Sequence, residues 1–427
     1  MIIQNFDEIA NRQDKKLALS IIGRGLDASL PGKFLDRVIR SDHLLVGRKR
    51  IVLKGYSGVY VVAVGKSADL MTRVVMSTTS VNGGIVVVPC GTKPSSSSKK
   101  IEVLFSSHPV PNGKSVIAAK RICKFLKSLG RTDFVIFLIS GGASSLISMP
   151  EGISLREKQA VTRQLLRSGA NIREINCVRK HLSKIKGGRL LELLPCNAVS
   201  LVMSDVIGDD LSVIASGTTY CDRSTFSDAK NILKKYNLNT HAPKSVLRRI
   251  GMGEQGLIPE TPKKPKIDNF VIASNRKCLE EMAVYSRKLG FKTRILWSVG
   301  GKSEVAAKKI IANFDGRKST CLIFGGETTV VVKGDGIGGR NQELAMNLIG
   351  ELKGRNKKIV VACVGTDGKD GNSKAAGALA TSDMPSEDMD RYLRKNNSNR
   401  FFKKYGGEIL TGHTHTNLMD IGIVLRK

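Results

Sequence analysis

Short runs in which nearly every residue is apolar, each followed by an amphipathic stretch, restrict the possible folds of this chain most. VYVVAVG (59–65), GIVVVP (84–89), IEVLFSS (101–107), FVIFLIS (134–140) and VSLVMSDV (199–206) succeed one another. Helical patterns such as SVIAAKRICKFLKSL (115–129) and DAKNILKKY (228–236) lie between them. A strand with one wet face alternates apolar and polar residues. A strand apolar throughout is covered on both faces, as in a parallel sheet flanked by helices. The first part of the chain therefore reads as an α/β doubly wound domain.

Near 237–266 the texture changes to NLNTHAPKSV and GEQGLIPETPKKPK, where proline, glycine and lysine suggest a surface connection. A second series follows with FVIAS (270–274), TRILWSV (293–299), CLIFGGE (321–327), TVVVK (329–333), IVVACVG (359–365) and a terminal DIGIVLR. CLIFGGE and TVVVK adjoin without room for a helix, so an antiparallel pairing of the two is expected. Two α/β domains result, 1–240 and 241–427, with no internal repeat. SSSSKK at 95–100 reads as a mobile loop.

With 427 residues, 41% of them hydrophobic, the chain can bury large cores. Its longest apolar runs are strand-sized, far short of the ~20 residues that span a bilayer. MIIQNFDEIANRQDKK lacks the apolar core of a secretory signal, so a cytoplasmic protein is expected. Eight cysteines are scattered without a C-x-x-C, which favours buried free thiols. Lys+Arg 69 against Asp+Glu 37 gives a net charge of +32, a field that attracts polyanions. Aromatic residues make up only 5%, and no zinc-finger, homeodomain or RNP pattern occurs. Nucleic-acid binding stays a minor alternative.

Ligands of doubly wound sheets bind beyond the carboxyl ends of strands. Those ends read AVGKSA (63–68), SSHPVPNG (106–113), LISGGASSL (138–146), MSDVIGDD (203–210), FGGETT (324–329), KGDGIGGRNQE (333–343) and VGTDGKDG (364–371). Glycines, hydroxyls, a lysine, an arginine and carboxylates recur, the set that phosphoryl transfer requires. Gly65-Lys66-Ser67 is not a Walker P-loop, because Tyr60 occupies the place of its first glycine; Leu296 does so for Gly301-Lys302-Ser303. Lys66 is still well placed for a phosphate. LISGGASSL reads as a nest of amides or as a tight turn. Asp205, Asp209 and Asp210 suit a metal or a helix cap. Glu327 suits a site or a turn, and Asp367 and Asp370 sit among glycines without the rest of a calcium loop. His413 and His415 lack a third metal ligand nearby. His108 and His181 read as hydrogen-bonding residues, and Trp297 as core.

GDGIGG (334–339) has the glycine spacing of a dinucleotide fingerprint. The next strand offers no acidic residue before Asp367, which is late for a ribose contact. Arg340 places a cation at the helix start that suits a multiply charged transition state as well as a pyrophosphate. An NAD(P)H-dependent hydroxypyruvate reductase remains the alternative to a kinase.

Taken together, AVGKSA, SSHPVPNG, LISGGASSL, VRKHLSKIKGGRL, MSDVIGDDLSVIASGTT, ASNRKCLE, FGGETTVVVKGDGIGGRNQELA, VGTDGKDGNSKAAGA and TGHTHTNLMDIGIVL resemble the class II glycerate 2-kinases, in that family's order from about residue 60 onward. The resemblance implies a Rossmann-like N-terminal domain, a C-terminal MOFRL-type α/β domain and an active site in the interdomain cleft. It implies ATP-dependent, Mg²⁺-assisted phosphorylation of D-glycerate to 2-phosphoglycerate, with Lys66 and Arg340 as catalytic residues. Ser140, Gly141, Gly142, Ser144, Ser145, Gly325, Gly326, Gly336, Gly338 and Gly339 are the candidates for binding substrate or phosphate. Asp205, Glu327 and Asp367 are the candidates for general base or Mg²⁺ ligand. A kinase of another small hydroxy acid is a further alternative, and a homodimer is the candidate assembly. Ile207 and Leu211 stand where the family has prolines, as does Thr218, and His413 and His415 stand at usual proline and glycine places. These changes alter loop stiffness and leave the charged residues intact.

Overall fold

The computed structural model describes residues 2–95, 98–353 and 358–427; residues 96 and 97 of the SSSSKK stretch lie outside the described residues. The chain forms two compact units, Leu35–Ile272 and the combination of Met1–Phe34 with Ala273–Lys427. The strands are β1 (His43–Val46), β2 (Lys49–Val52), β3 (Val59–Val64), β4 (Gly83–Pro89), β5 (Ile101–Ser106), β6 (Phe134–Ile139), β7 (Asn197–Ser204), β8 (Asp268–Ser274), β9 (Lys292–Lys302), β10 (Thr320–Thr329), β11 (Val360–Gly365), β12 (Gly377–Thr381), β13 (Glu408–Ile409) and β14 (Asp420–Arg426).

The sheet of the first unit has the order β5-β4-β3-β6-β7-β8, parallel from β5 through β7. Winding proceeds outward from β3 in one direction and then from β6 in the other. A crevice opens beyond the carboxyl ends at such a switch point. All six residues of β6 are buried, as its continuous apolar run requires. Ile122 and Leu126 of the helix Gly113–Lys127 join Val62, Val87 and Phe137 in one core. That helix starts where Asn112 accepts from the Lys114 amide at 2.9 Å and Ser115 accepts from the Asn112 amide at 3.1 Å, a reciprocal cap. A second core, with Val161, Val178, Phe226 and Val246, joins the helices Leu155–Arg167, Ile172–His181, Phe226–Lys235 and Lys244–Glu254.

The sheet of the other unit has the order β13-β12-β11-β14-β10-β9. Only β9 and β10 are parallel; β14 runs antiparallel to both β10 and β11. Among the described residues no helix is long and apolar enough to cross a membrane.

Four expectations need correction. Trp297, read as core, is 41% exposed. TVVVK does not form a strand: β10 ends at Thr329, and its antiparallel partner is β14. Val331 and Val332 are exposed, and the amides of Lys333 and Gly334 donate to the Asn396 side chain rather than to a ladder. FVIAS belongs to β8 at the edge of the first sheet, and the change of unit falls inside it, after Ile272. The boundary is thus not near 240. Residues 241–272 stay with the first unit because Lys266 donates to the carbonyls of Leu191 and Leu194 at 2.8 and 2.9 Å, and Glu260 bonds His181 at 3.2 Å. Conversely, residues 1–34 belong with the C-terminal portion. Gly25 of the helix Gln13–Ser29 lies so close to Met282 that a Cβ there would meet its Sδ at 2.5 Å.

Candidate active site

In the first unit the carboxyl ends of β3 and β6 interlock. Gly65 follows β3 with φ +139°, and a Cβ on it would lie 2.0 Å from Ser140 Oγ, so only glycine fits. The Lys66 amide donates to the Gly141 carbonyl at 2.9 Å and the Ser67 amide to Ser140 Oγ at 3.1 Å. These bonds fix the Lys66 backbone while its side chain stays exposed. A Cβ on Gly141 would lie 2.4 Å from Asp205 Oδ2, and one on Gly142 would lie 2.8 Å from His108 Cδ2. Lys66, Ser140, Gly141, Gly142 and Asp205 are thus brought together, and His108 joins them. Burial, and then the charge of Lys66, hold the His108 imidazole below its usual pKa.

Other candidates of this unit are engaged internally. Ser145 Oγ donates to the Gly142 carbonyl at 2.9 Å and closes the turn. Asp210 accepts from Ser212 N and Oγ at 3.0 and 2.7 Å and pairs with Arg173 at 3.1 Å, which is loop bracing. His181 bonds the Cys177 carbonyl at 2.8 Å as well as Glu260. The Ser144 carbonyl accepts from Lys186 Nζ at 2.8 Å and from Arg179 Nη2 at 3.2 Å. Both cations come from VRKHLSKIKGGRL, whose run of basic residues amid apolar ones was the available signal.

In the second unit Arg340 is the first residue of the helix Arg340–Glu351. Its Nε and Nη2 donate to the two oxygens of Asp420 at 2.7 and 3.0 Å, and Nη1 donates to Glu327. Burial lowers the guanidinium pKa, but the Asp420 and Glu327 charges more than offset this, so Arg340 stays cationic. For Asp420, burial pushes the carboxyl upward while the Arg340 fork pulls it down. Asp420 escaped notice because it begins its strand. Since β14 is antiparallel, that beginning lies opposite Gly326 at the end of β10 and Gly365 at the end of β11.

Asp370 has a structural role. It is buried, and it accepts from the amides of Asn341 and Gln342 at 3.0 and 2.9 Å and from both their side chains. It therefore caps the helix that carries Arg340, where a carboxylate also suits the helix dipole. Asp367 is half-buried and accepts from the Lys369 amide at 3.1 Å.

The glycine loop is packed against protein. Cβ atoms on Gly334 and Gly336 would each lie 2.4 Å from the Lys395 carbonyl oxygen, and one on Gly338 would lie 2.1 Å from Ser398 Oγ. The amides of Gly336, Ile337 and Gly338 donate to Lys395, Asn397 and Asn372. Three amides that a pyrophosphate would need are therefore already used. Gly325 and Gly326 serve close packing as well: their Cβ atoms would meet Asn275 Oδ1 at 2.2 Å and the Val299 carbonyl at 2.0 Å. Gly336, Gly338 and Gly339 nonetheless line, with Arg340, Asp367 and Lys369, a cavity of about 490 Å³.

Among the described residues no three His, Cys, Asp or Glu side chains form a metal cluster, and the His413 and His415 rings lie 6.4 Å apart. All eight cysteines are free thiols, six of them buried.

Two family matches cover most of the chain, and the first of them includes residues 17–34, which belong to the other unit. Residues 17–251 match a domain of unknown function designated DUF4147, and residues 320–420 match the MOFRL family. A glycerate 2-kinase of Pyrococcus horikoshii is 36% identical over 96% of this chain and 97% of its own length. A protein of Agrobacterium vitis named as a putative hydroxypyruvate reductase is 38% identical over 76% of this chain and 77% of its own. The crystal structure of a glycerate kinase from Thermotoga maritima superposes with a TM-score of 0.83 at 35% identity, covering 96% of this chain and 99% of that one. This chain belongs to the MOFRL family of glycerate 2-kinases, with a DUF4147 N-terminal domain.

Proposed function

We propose that this protein transfers the γ-phosphoryl group of ATP to the C2 hydroxyl of D-glycerate, giving 2-phospho-D-glycerate. The observation that carries the reading is the placement of two cations. Lys66 stands at the switch point of a parallel sheet and Arg340 at a helix start on a cavity wall, in a chain similar to glycerate 2-kinases along nearly its whole length. In this reading the first unit is Rossmann-like.

The about 490 Å³ cavity is within the size range of small-ligand pockets and supports a nucleotide site. Mg²⁺ in kinases is held by one or two carboxylates plus substrate phosphates. Asp367 on the cavity wall and half-exposed Glu327 fit that modest requirement. The bound ion would neutralise phosphate charge.

Asp420 holds the Nε–Nη2 edge of Arg340, so the guanidinium keeps its orientation. Glu327, the more exposed partner, is the one that phosphate oxygens displace from Nη1. Lys66, held by its backbone, is the second cation that neutralises the transferring group. Asp205 beside the Gly141–Gly142 turn is the carboxylate placed to accept the alcohol proton. Ser140 and the turn amides orient the hydroxy acid.

Incubation with ATP, Mg²⁺ and D-glycerate should yield ADP and 2-phosphoglycerate, resolved from the 3-isomer by chromatography or ³¹P NMR. No ADP formation with D-glycerate or a panel of short hydroxy acids would overturn the reading. Oxidation of NAD(P)H by hydroxypyruvate, followed by absorbance, would favour the reductase instead. Nucleic-acid binding that persists at physiological salt would favour the third reading.

A further inference from the structure

In the first unit, three cations have no carboxylate partner among the described residues. Lys158, on the helix Leu155–Arg167, is only 4% exposed and its ammonium makes no hydrogen bond. Fully buried Lys186 and half-buried Arg179 both donate to the one carbonyl of Ser144. The remaining bond of Arg179 is a long one, 3.4 Å to Asn176 Oδ1. Other buried cations of this unit differ: Lys180 pairs with Asp222 at 3.1 Å, and Arg189 and Arg249 both pair with Glu151.

Removing a cation from water is costly unless an opposite charge replaces the lost hydration. One carbonyl dipole shared by two cations does not replace it, and Lys158 has none. The deficit is in negative charge. For Arg179 and Lys186 it lies at the Ser140–Ser145 turn, whose carboxyl-end position already suits ligands, and Lys158 is close enough for its charge to act on both.

We propose that Lys158, Arg179 and Lys186 form a binding site for a small oxyanion, carboxylate or phosphate, beside Ser144. The proposal rests on the reading of the Ser140–Ser145 turn as substrate-facing. The planar fork of Arg179 suits two oxygens of one anion, and the two ammonium groups act as point charges around it. Burial, and then the charges of Arg179 and Arg249, push the Lys158 ammonium down to about 7. A bound anion reverses that push, so binding and protonation favour each other.

The test is equilibrium binding, by calorimetry and thermal shift, of D-glycerate and separately of inorganic phosphate, without nucleotide. The proteins are the wild type, Lys158→Met and Arg179→Gln. At least one anion should bind the wild type saturably and stabilise it. The dissociation constant should rise about tenfold or more in each variant, the loss expected for one charged hydrogen bond. Binding of glycerate alone assigns the site to the substrate carboxylate, and binding of phosphate alone assigns it to a phosphoryl group. Without anion, Lys158→Met should melt no lower than the wild type, since it removes an unpaired buried charge; a purely structural lysine would give the reverse. Binding of neither anion to the wild type, or equal affinity in all three proteins, overturns the proposal. The kinase reading is judged separately, by ATP turnover.

Discussion

Around the turn after β6, cations outnumber acids: Asp205 is the acid beside Gly141, while Lys66 is exposed, Lys186 and Arg179 crowd one carbonyl, and Lys158 has no hydrogen-bond partner among the described residues. In the loop before the helix Arg340–Glu351 the balance is reversed. Arg340 faces Asp420 and Glu327, while Glu343, Asp367 and Asp370 line the cavity beside it, with Lys369 as the second cation among the described lining residues. Both regions have glycines, a hydroxyl or amide set and a basic residue at a strand or helix end. The first is short of negative charge and suits a bare anion. The second supplies negative charge and, in the proposed function, suits a nucleotide that arrives with its metal.

This contrast breaks most visibly in turnover. Lys66→Ala and Arg340→Ala should each lower kcat about 10³-fold or more with unchanged circular dichroism if, as proposed, each stabilises charge on the transferring phosphoryl group. If both variants turn over at nearly the wild-type rate, neither region is catalytic. Backbone approach is next in size. Gly65→Ala, at φ +139° and against Ser140, and Gly336→Ala, against the Lys395 carbonyl, should each cost about 2–4 kcal/mol in urea melts. A loss confined to Gly65→Ala would mean that the second loop yields and is less rigid than the first.

Asp370→Asn tests the feature that only the second region has, a buried carboxylate under the helix of Arg340. Exchange of an acceptor oxygen for an NH₂ facing other donors should cost about 1–3 kcal/mol in the same melts. It should also raise KM for ATP. An unchanged melt would mean that the helix needs no cap. The smallest effect is a slope with pH. Lys158 titrates at about 7 in the folded chain against its ordinary 10.5. Between those values the unfolded chain holds the extra proton, so wild-type stability rises with pH across that window. Lys158→Met lacks this contribution, so its stability advantage, about 1–4 kcal/mol below the window, should shrink as pH rises. A difference independent of pH would place Lys158 in water.

Much of this was legible in the residues. Continuous apolar runs gave the parallel strands of the first sheet and β10, β11 and β14 of the second, since their burial is a local property of each strand. Lys66, Ser140 and Gly141 could be grouped because parallel strands bring their carboxyl ends to one edge, a rule that needs no coordinates. The same rule hid Asp420, which begins an antiparallel strand and so reaches that edge from its other end. TVVVK has the composition of a strand, yet Asn396 takes two of the adjacent amides. The stretch 237–266 has linker composition but is tied down by Lys266 and Glu260.

By itself, then, the order of residues determined the α/β class and most of the longer strands, and it marked Lys66 and Arg340 as candidates, because burial period and turn chemistry act over a few neighbouring residues. Tertiary structure alone decided which charges are neutralised. Whether Arg340 is paired and Lys158 is not depends on side chains far apart in the chain, and on water being excluded around them, which no local pattern records.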